Sequence, residues 1–66
     1  MDKAARIVID ERIYPGKPII RGTRILVETI LGSLKAGMTW EEAMKEYNIE
    51  REDIEAALQH GRYQAA

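Results

Sequence analysis

The apolar periodicity of this chain changes once, at Val27, and that change limits the folds open to it. Upstream, apolar residues come in short β-branched runs broken by proline and glycine; downstream they recur at i, i+3, i+4 and i+7, the spacing of one helix face. Ile7-Val8-Ile9 predicts a short strand with the look of an edge strand. Tyr14-Pro15-Gly16-Lys17-Pro18 is turn chemistry, because neither proline has an N–H for a ladder and the glycine tolerates unusual dihedrals. Ile19-Ile20-Arg21 and Arg24-Ile25-Leu26 flank Gly22-Thr23. Glycine at the first central position of a two-residue connection predicts a type II′ hairpin there.

Three helices are predicted after the switch. Val27, Ile30, Leu31 and Leu34 form one apolar face; Lys35 suits the negative end of the helix dipole and Gly37 a C′ position. Gly32 lies inside this helix, at a cost of about 1 kcal/mol relative to alanine, and is either tolerated or admits another backbone. Thr39-Trp40-Glu41-Glu42 is a capping box that opens a second helix with the stripe Trp40, Ala43, Met44 and Tyr47. Asn48 can take the left-handed conformation that ends it. Ile54, Ala57 and Leu58 mark a third helix, with Glu52 and Asp53 at its positive end. Glu50 is a poor N-cap there, flanked by an Ile49–Ile54 hydrophobic staple, and the helix should run to about Gly61 or Tyr63. The expected architecture is mainly α: a β ribbon or arm over residues 1–26, then a three-helix bundle of helix-turn-helix type over 27–63, in a single domain 1–66.

Size and composition narrow the function. A domain near 60 residues buries only about 60% of the surface its unfolded chain exposes. This one has 66 residues and no cysteine, so disulfides cannot help; oligomerisation is the common remedy, and a homodimer is expected. The single histidine, His60, cannot build a zinc site alone and is expected to serve a helix C-terminus. Gly16-Lys17 is followed by proline, not by the Ser/Thr of a phosphate loop. Glu42, Glu46 and Glu50 recur four apart, as a solvated face does. No enzyme, metal or cofactor is expected. No run approaches the roughly 20 apolar residues of a membrane span, and no signal-peptide pattern opens the chain, so a cytoplasmic location is expected.

Charge is divided unevenly. Residues 1–37 carry seven Lys/Arg against four Asp/Glu, whereas residues 38–66 carry three against seven. The stretch from Arg12 to Arg24 holds Arg12, Lys17, Arg21 and Arg24 and no acid. Such a split implies two surfaces with different partners, or one surface that pairs with itself.

The string GKPIIRGTRILVETIL (residues 16–31), the Gly37-Met38-Thr39 entry to the capping box and EDIEAAL (residues 52–58) together resemble the bacterial and archaeal domain-of-unknown-function 433 family. The resemblance covers about Ile7 to His60, and its GKP-x-I-RGTRI string is specific. It implies a homeodomain-like helix-turn-helix fold and an antitoxin, often paired with a PIN-like ribonuclease toxin. Two positions depart from the family pattern: Leu26 stands where proline usually follows RGTRI, and Glu50 where Ser or Thr often caps the last helix.

The candidate nucleic-acid or partner-binding residues are therefore Arg12, Lys17, Arg21, Gly22, Thr23, Arg24 and Arg51. Two guanidiniums on one turn can hold phosphates. Alternatively they pair with Glu28 or with acids of the third helix and fasten the ribbon. That helix argues against simple major-groove reading, since Glu50, Glu52, Asp53 and Glu55 are expected to be exposed there, against Arg51 and Arg62. If operator DNA is bound, the ribbon contributes more than helix three; the acidic helix suits a basic protein surface. Trp40, Tyr47, Met38 and Met44 are expected in the core. The alternative function is a protein-interaction module that dimerises through its ribbon and has no DNA affinity. Only five residues follow the third helix, so toxin contact would use the folded surface.

Overall fold

A computed structural model gives the fold and describes residues 5–65, with side chains to Gly61. Two strands, β1 (Ile7–Ile9) and β2 (Pro18–Ile20), precede three helices, α1 (Val27–Lys35), α2 (Trp40–Tyr47) and α3 (Arg51–Ala65). The mainly α architecture with a small N-terminal ribbon is as expected. The Arg62 side chain and residue 66 fall outside the described residues.

The ribbon is built differently from the expected hairpin. β1 pairs antiparallel with β2 in the register Ile7–Ile20, Val8–Ile19 and Ile9–Pro18. Across Gly22 the pairing shrinks to one bridge, Ile19–Leu26, with Ile20 N–H donating to the Ile25 carbonyl at 2.9 Å. The reason is where glycine sits in the turn. Thr23 N–H donates to Ile20 C=O, so Gly22, at φ 82°, is the third residue of the turn and not its second. A positive φ at that position is the type II geometry, which splays flanking strands where a type II′ turn would keep them paired. Tyr14-Pro15-Gly16-Lys17 repeats the arrangement, with Lys17 N–H donating to Tyr14 C=O and Gly16 at φ 75°. Pro18 is tolerated because Arg21 N–H donates to Arg6 C=O. By alternation the Pro18 nitrogen then points away from β1 and no ladder bond is lost.

Ile20, Val27, Ile30, Ala43, Ile49, Ile54 and Ala57 form one buried cluster. Ile19 is buried on the opposite face of β2. Trp40, Tyr47, Met38 and Met44 pack half-buried against the cluster, as expected of core residues. Both halves of the capping box form: Glu42 N–H donates to Thr39 Oγ1 at 3.1 Å and Thr39 N–H to Glu42 Oε1 at 2.8 Å. Asn48 ends α2 at φ 56°.

Each departure from the family pattern is absorbed locally. Leu26, the N-cap of α1, has φ −72°, the value a proline ring would fix, with an extended ψ of 141°. Ahead of α3, Glu50 contributes no side-chain cap; instead its N–H donates to Asp53 Oδ2 at 2.9 Å, so the helix is capped from inside. The two glycines exchange roles. Gly32 is exposed, with open space where a Cβ would stand, while at Gly61 a Cβ would lie 2.8 Å from Leu31 Cδ1. Gly61 therefore does not end the helix; it lets α3 pass close to α1, and α3 continues to Ala65.

Candidate functional site

The Arg21-Gly22-Thr23-Arg24 turn is held rigidly by its own residues. Thr23 Oγ1 donates to Ile20 C=O at 2.7 Å and accepts from Ile25 N–H at 2.9 Å, so the hydroxyl locks the turn from both sides. Gly22 supplies the positive φ. Both expected binding residues thus act through backbone geometry, and what the turn displays is two guanidiniums. Arg21 and Arg24 are exposed, and among the described residues neither forms an ion pair or a side-chain hydrogen bond. Arg21 borders a cleft of about 340 Å³ between this turn and the α2–α3 corner, shared with Thr23, Asn48 and Glu50.

The other candidate cations are engaged. Arg12 forms a two-pronged pair with Asp10, Nε to Oδ1 at 3.1 Å and Nη2 to Oδ2 at 3.0 Å. The Arg12 side chain, then its backbone N–H, hold the Asp10 carboxyl below the usual carboxylate range, and the charge of Arg24 adds slightly. Lys17 Nζ lies 3.5 Å from Glu28, on the first turn of α1. Arg51 lies 5.2 Å over the Trp40 ring and 4.0 Å from Glu41, tying α3 to α2. The acid-free run from Arg12 to Arg24 is therefore less basic in space than in sequence.

A cation that sequence reasoning missed does the fastening first ascribed to Arg21 or Arg24. Arg6 Nη1 donates to Glu50 Oε1 at 2.8 Å and to Asp53 Oδ1 at 3.0 Å, joining the start of the ribbon to the start of α3. Hydrogen bonding to Glu50, then to Asp53, raises the Arg6 pKa further. Asp53 is 7% exposed, which corrects its expected place on a solvated acidic face. Burial of this carboxylate is compensated by the guanidinium, the Glu50 N–H and the helix N-terminus. The only sequence signal was the coincidence of an arginine beside a strand with acids opening a helix. Glu52 and Glu55 remain exposed on α3.

His60 sits inside α3, so it does not serve the helix end; its Nε2 is buried without a hydrogen-bond partner among the described residues. It lies beside Lys17, Pro18, Val27, Leu31 and Gly61. Among the described residues no helix is long and apolar enough to cross a membrane.

Ribbon, bundle and doubly cationic turn define a small α-rich module that displays two exposed arginines, unpaired among the described residues, on one hydrogen-bonded turn. The family described as "Protein of unknown function (DUF433)" matches residues 7–60, and the chain belongs to that family. It is also 32% identical over 54 residues to a protein of Mycobacterium tuberculosis (strain ATCC 25618 / H37Rv) named "Putative antitoxin VapB45". That match covers 82% of this chain and 23% of the relative, so the chain corresponds to about a quarter of that protein's length. No solved structure matches.

Proposed function

We propose that the chain is a non-enzymatic antitoxin-type regulator. It works as a homodimer whose RGTR turn contacts the phosphates of operator DNA, the acidic metal-binding groove of a PIN-like ribonuclease toxin, or each in turn. The observation that carries this reading is the state of Arg21 and Arg24: both exposed, rigidly presented, and without an acidic partner among the described residues. An arginine fork already neutralised, like Arg12 on Asp10, must exchange one partner for another; these two need not. The antitoxin name of the relative supports the class. Arg12 and Lys17 are secondary contacts in this reading, and Arg51 serves the helix pair first.

The test is a fluorescence anisotropy titration against duplex from the chain's own upstream region and against an unrelated duplex, at low and moderate salt, with an Arg21→Glu/Arg24→Glu variant alongside. The reading expects preference for its own region, lost in the variant and weakened by salt, because each neutralised phosphate releases counterions. Equal affinity for both duplexes reduces the interaction to charge attraction. No binding at low salt refutes DNA contact by the isolated protein.

The second reading, an interaction module without DNA affinity, is favoured by Glu52 and Glu55, which stay exposed on α3 and repel phosphates. Its signature is a protein partner that binds the wild type while duplex does not.

A further inference from the structure

The unpaired edge of β1 is built to match itself. Arg21 N–H donates to the Arg6 carbonyl, so the backbone groups of Arg6 and Val8 face β2. By strict alternation, the N–H and C=O of Ile7 and of Ile9 face the other way. Among the described residues no strand lies along that side, since the sheet has only the order β1–β2. Edge strands in soluble proteins are normally blunted by being very short, or by lysine, proline, a bulge or an inward charge. Ile7-Val8-Ile9 is short, at three residues, but has no lysine, proline, bulge or charge of its own.

The side chains add a second, independent irregularity. Ile7 and Ile9 are on the same face of the strand, and Ile7 packs against the core cluster. Ile9, two residues on, is 57% exposed, the most exposed large apolar side chain among the described residues. The helical layer that covers Ile7 stops short of it.

We infer that β1 pairs antiparallel with β1 of a second copy of this chain, about a dyad at Val8, so that Ile9 of each copy falls opposite Ile7 of the other. This register follows from the edge itself. Because Ile7 and Ile9 carry the outward-facing groups, each Ile7–Ile9 pair exchanges both of its N–H···O bonds. Val8 meets Val8 as a non-hydrogen-bonded pair. The same register extends the face that Ile7 shares with the core, so each Ile9 gains an isoleucine neighbour and both free edges vanish at once. A partner protein's strand could satisfy the same backbone groups. A second copy does so with an isoleucine opposite Ile9 already supplied by symmetry. The inference rests on the proposed homodimer and specifies its surface.

The absence of cysteine makes a direct test available. Sedimentation velocity on the full chain is run over a range of concentrations beside Ile9→Asp, with far-UV circular dichroism to verify retained helix. Val8→Cys and Ile9→Cys are then oxidised mildly and resolved without reductant. In the inferred register the two Val8 Cα atoms lie about 4.5 Å apart, within disulfide range, while the two Ile9 Cα atoms are roughly 8 Å apart. The expected result is a dimer that Ile9→Asp dissociates without loss of helix, and that Val8→Cys locks covalently while Ile9→Cys, though more exposed, does not. A monomer at every concentration overturns the homodimer and this inference together. A dimer that survives Ile9→Asp, or that Ile9→Cys traps better than Val8→Cys, leaves the homodimer standing and overturns the β1 pairing. A monomer whose Ile7–Ile9 strand is protected only when another protein is bound reassigns the edge to that protein.

Discussion

Two glycines, both inside helices, should respond in opposite ways to the same substitution. Alanine is favoured over glycine in a helix interior by about 0.8–1.0 kcal/mol. At Gly32, an exposed position of α1 with nothing within 4 Å of a built Cβ, that gain is unopposed. Gly32→Ala should therefore stabilise by about 1 kcal/mol, or roughly 4–8 °C in Tm for a domain of this size. At Gly61 the Cβ would stand 2.8 Å from Leu31 Cδ1. Leu31 must leave its rotamer, at about 0.5–1.5 kcal/mol, and this offsets the propensity gain. Gly61→Ala should thus be close to neutral or mildly destabilising. The assay is urea and thermal unfolding followed by circular dichroism, at one protein concentration because association would shift the midpoints. A double-mutant cycle supplies the decisive comparison: in a Leu31→Ala background the obstructing methyl is gone, and Gly61→Ala should recover most of the gain. Equal stabilisation by the two alanines, or a cycle with no coupling, would refute the close α1–α3 approach.

Further outcomes follow from single contacts. Thr39→Ala removes one half of a complete capping box and should cost about 1 kcal/mol, read as a lower urea midpoint with unchanged slope. Tyr47→Phe breaks the 2.6 Å contact between Ser33 Oγ and Tyr47 OH, which ties α1 to α2, and should cost about 1 kcal/mol by the same measurement. Ile54→Ala, at a fully buried position, should cost about 2–5 kcal/mol and leave much of the chain unfolded at 37 °C by circular dichroism. The Asp10 carboxyl has a folded pKa below its unfolded value. Its contribution to stability is present above the unfolded carboxylate range, near 3.9, and is lost as pH falls through the lower folded value. In Arg12→Ala, an NMR titration of Asp10 should show the pKa returning upward; no movement would mean the Arg12 fork does not persist in solution.

What could be read from sequence was whatever depends on neighbours in the chain. The change of period at Val27, the Thr39–Glu42 box and the left-handed Asn48 are local, and each is found where the sequence implies it. What could not be read was the pairing of distant groups. Ile7-Val8-Ile9 announces a strand but not its partner, and the prominent glycine at 22 drew the ribbon to the wrong turn. The register with β2 depends on Tyr14-Pro15-Gly16-Lys17 closing the longer connection. The same holds for the ions. Lys17 reaching Glu28 and Arg6 reaching Glu50 and Asp53 are tertiary facts, separated in the latter case by more than half the chain.

The distribution of those ion pairs separates folding from recognition in a way the basic run conceals. Arg6 lies outside the run from Arg12 to Arg24, yet it fastens the ribbon to the bundle, next to the cleft that Arg21 borders. Arg21 and Arg24 lie within the run and hold nothing in place among the described residues. Charge removal at the two places must therefore have different signatures. Losing Arg6 leaves the buried Asp53 carboxylate with only the Glu50 N–H and the helix end, so stability falls. Losing Arg21 and Arg24 breaks no ion pair or side-chain hydrogen bond among the described residues and should leave the fold intact, so any loss of binding to duplex or toxin is a loss of contact. A partner that discriminated against Arg6→Ala and the double variant equally, at temperatures where both remain folded, would have to touch the whole cleft between turn and α3, and not the tip alone.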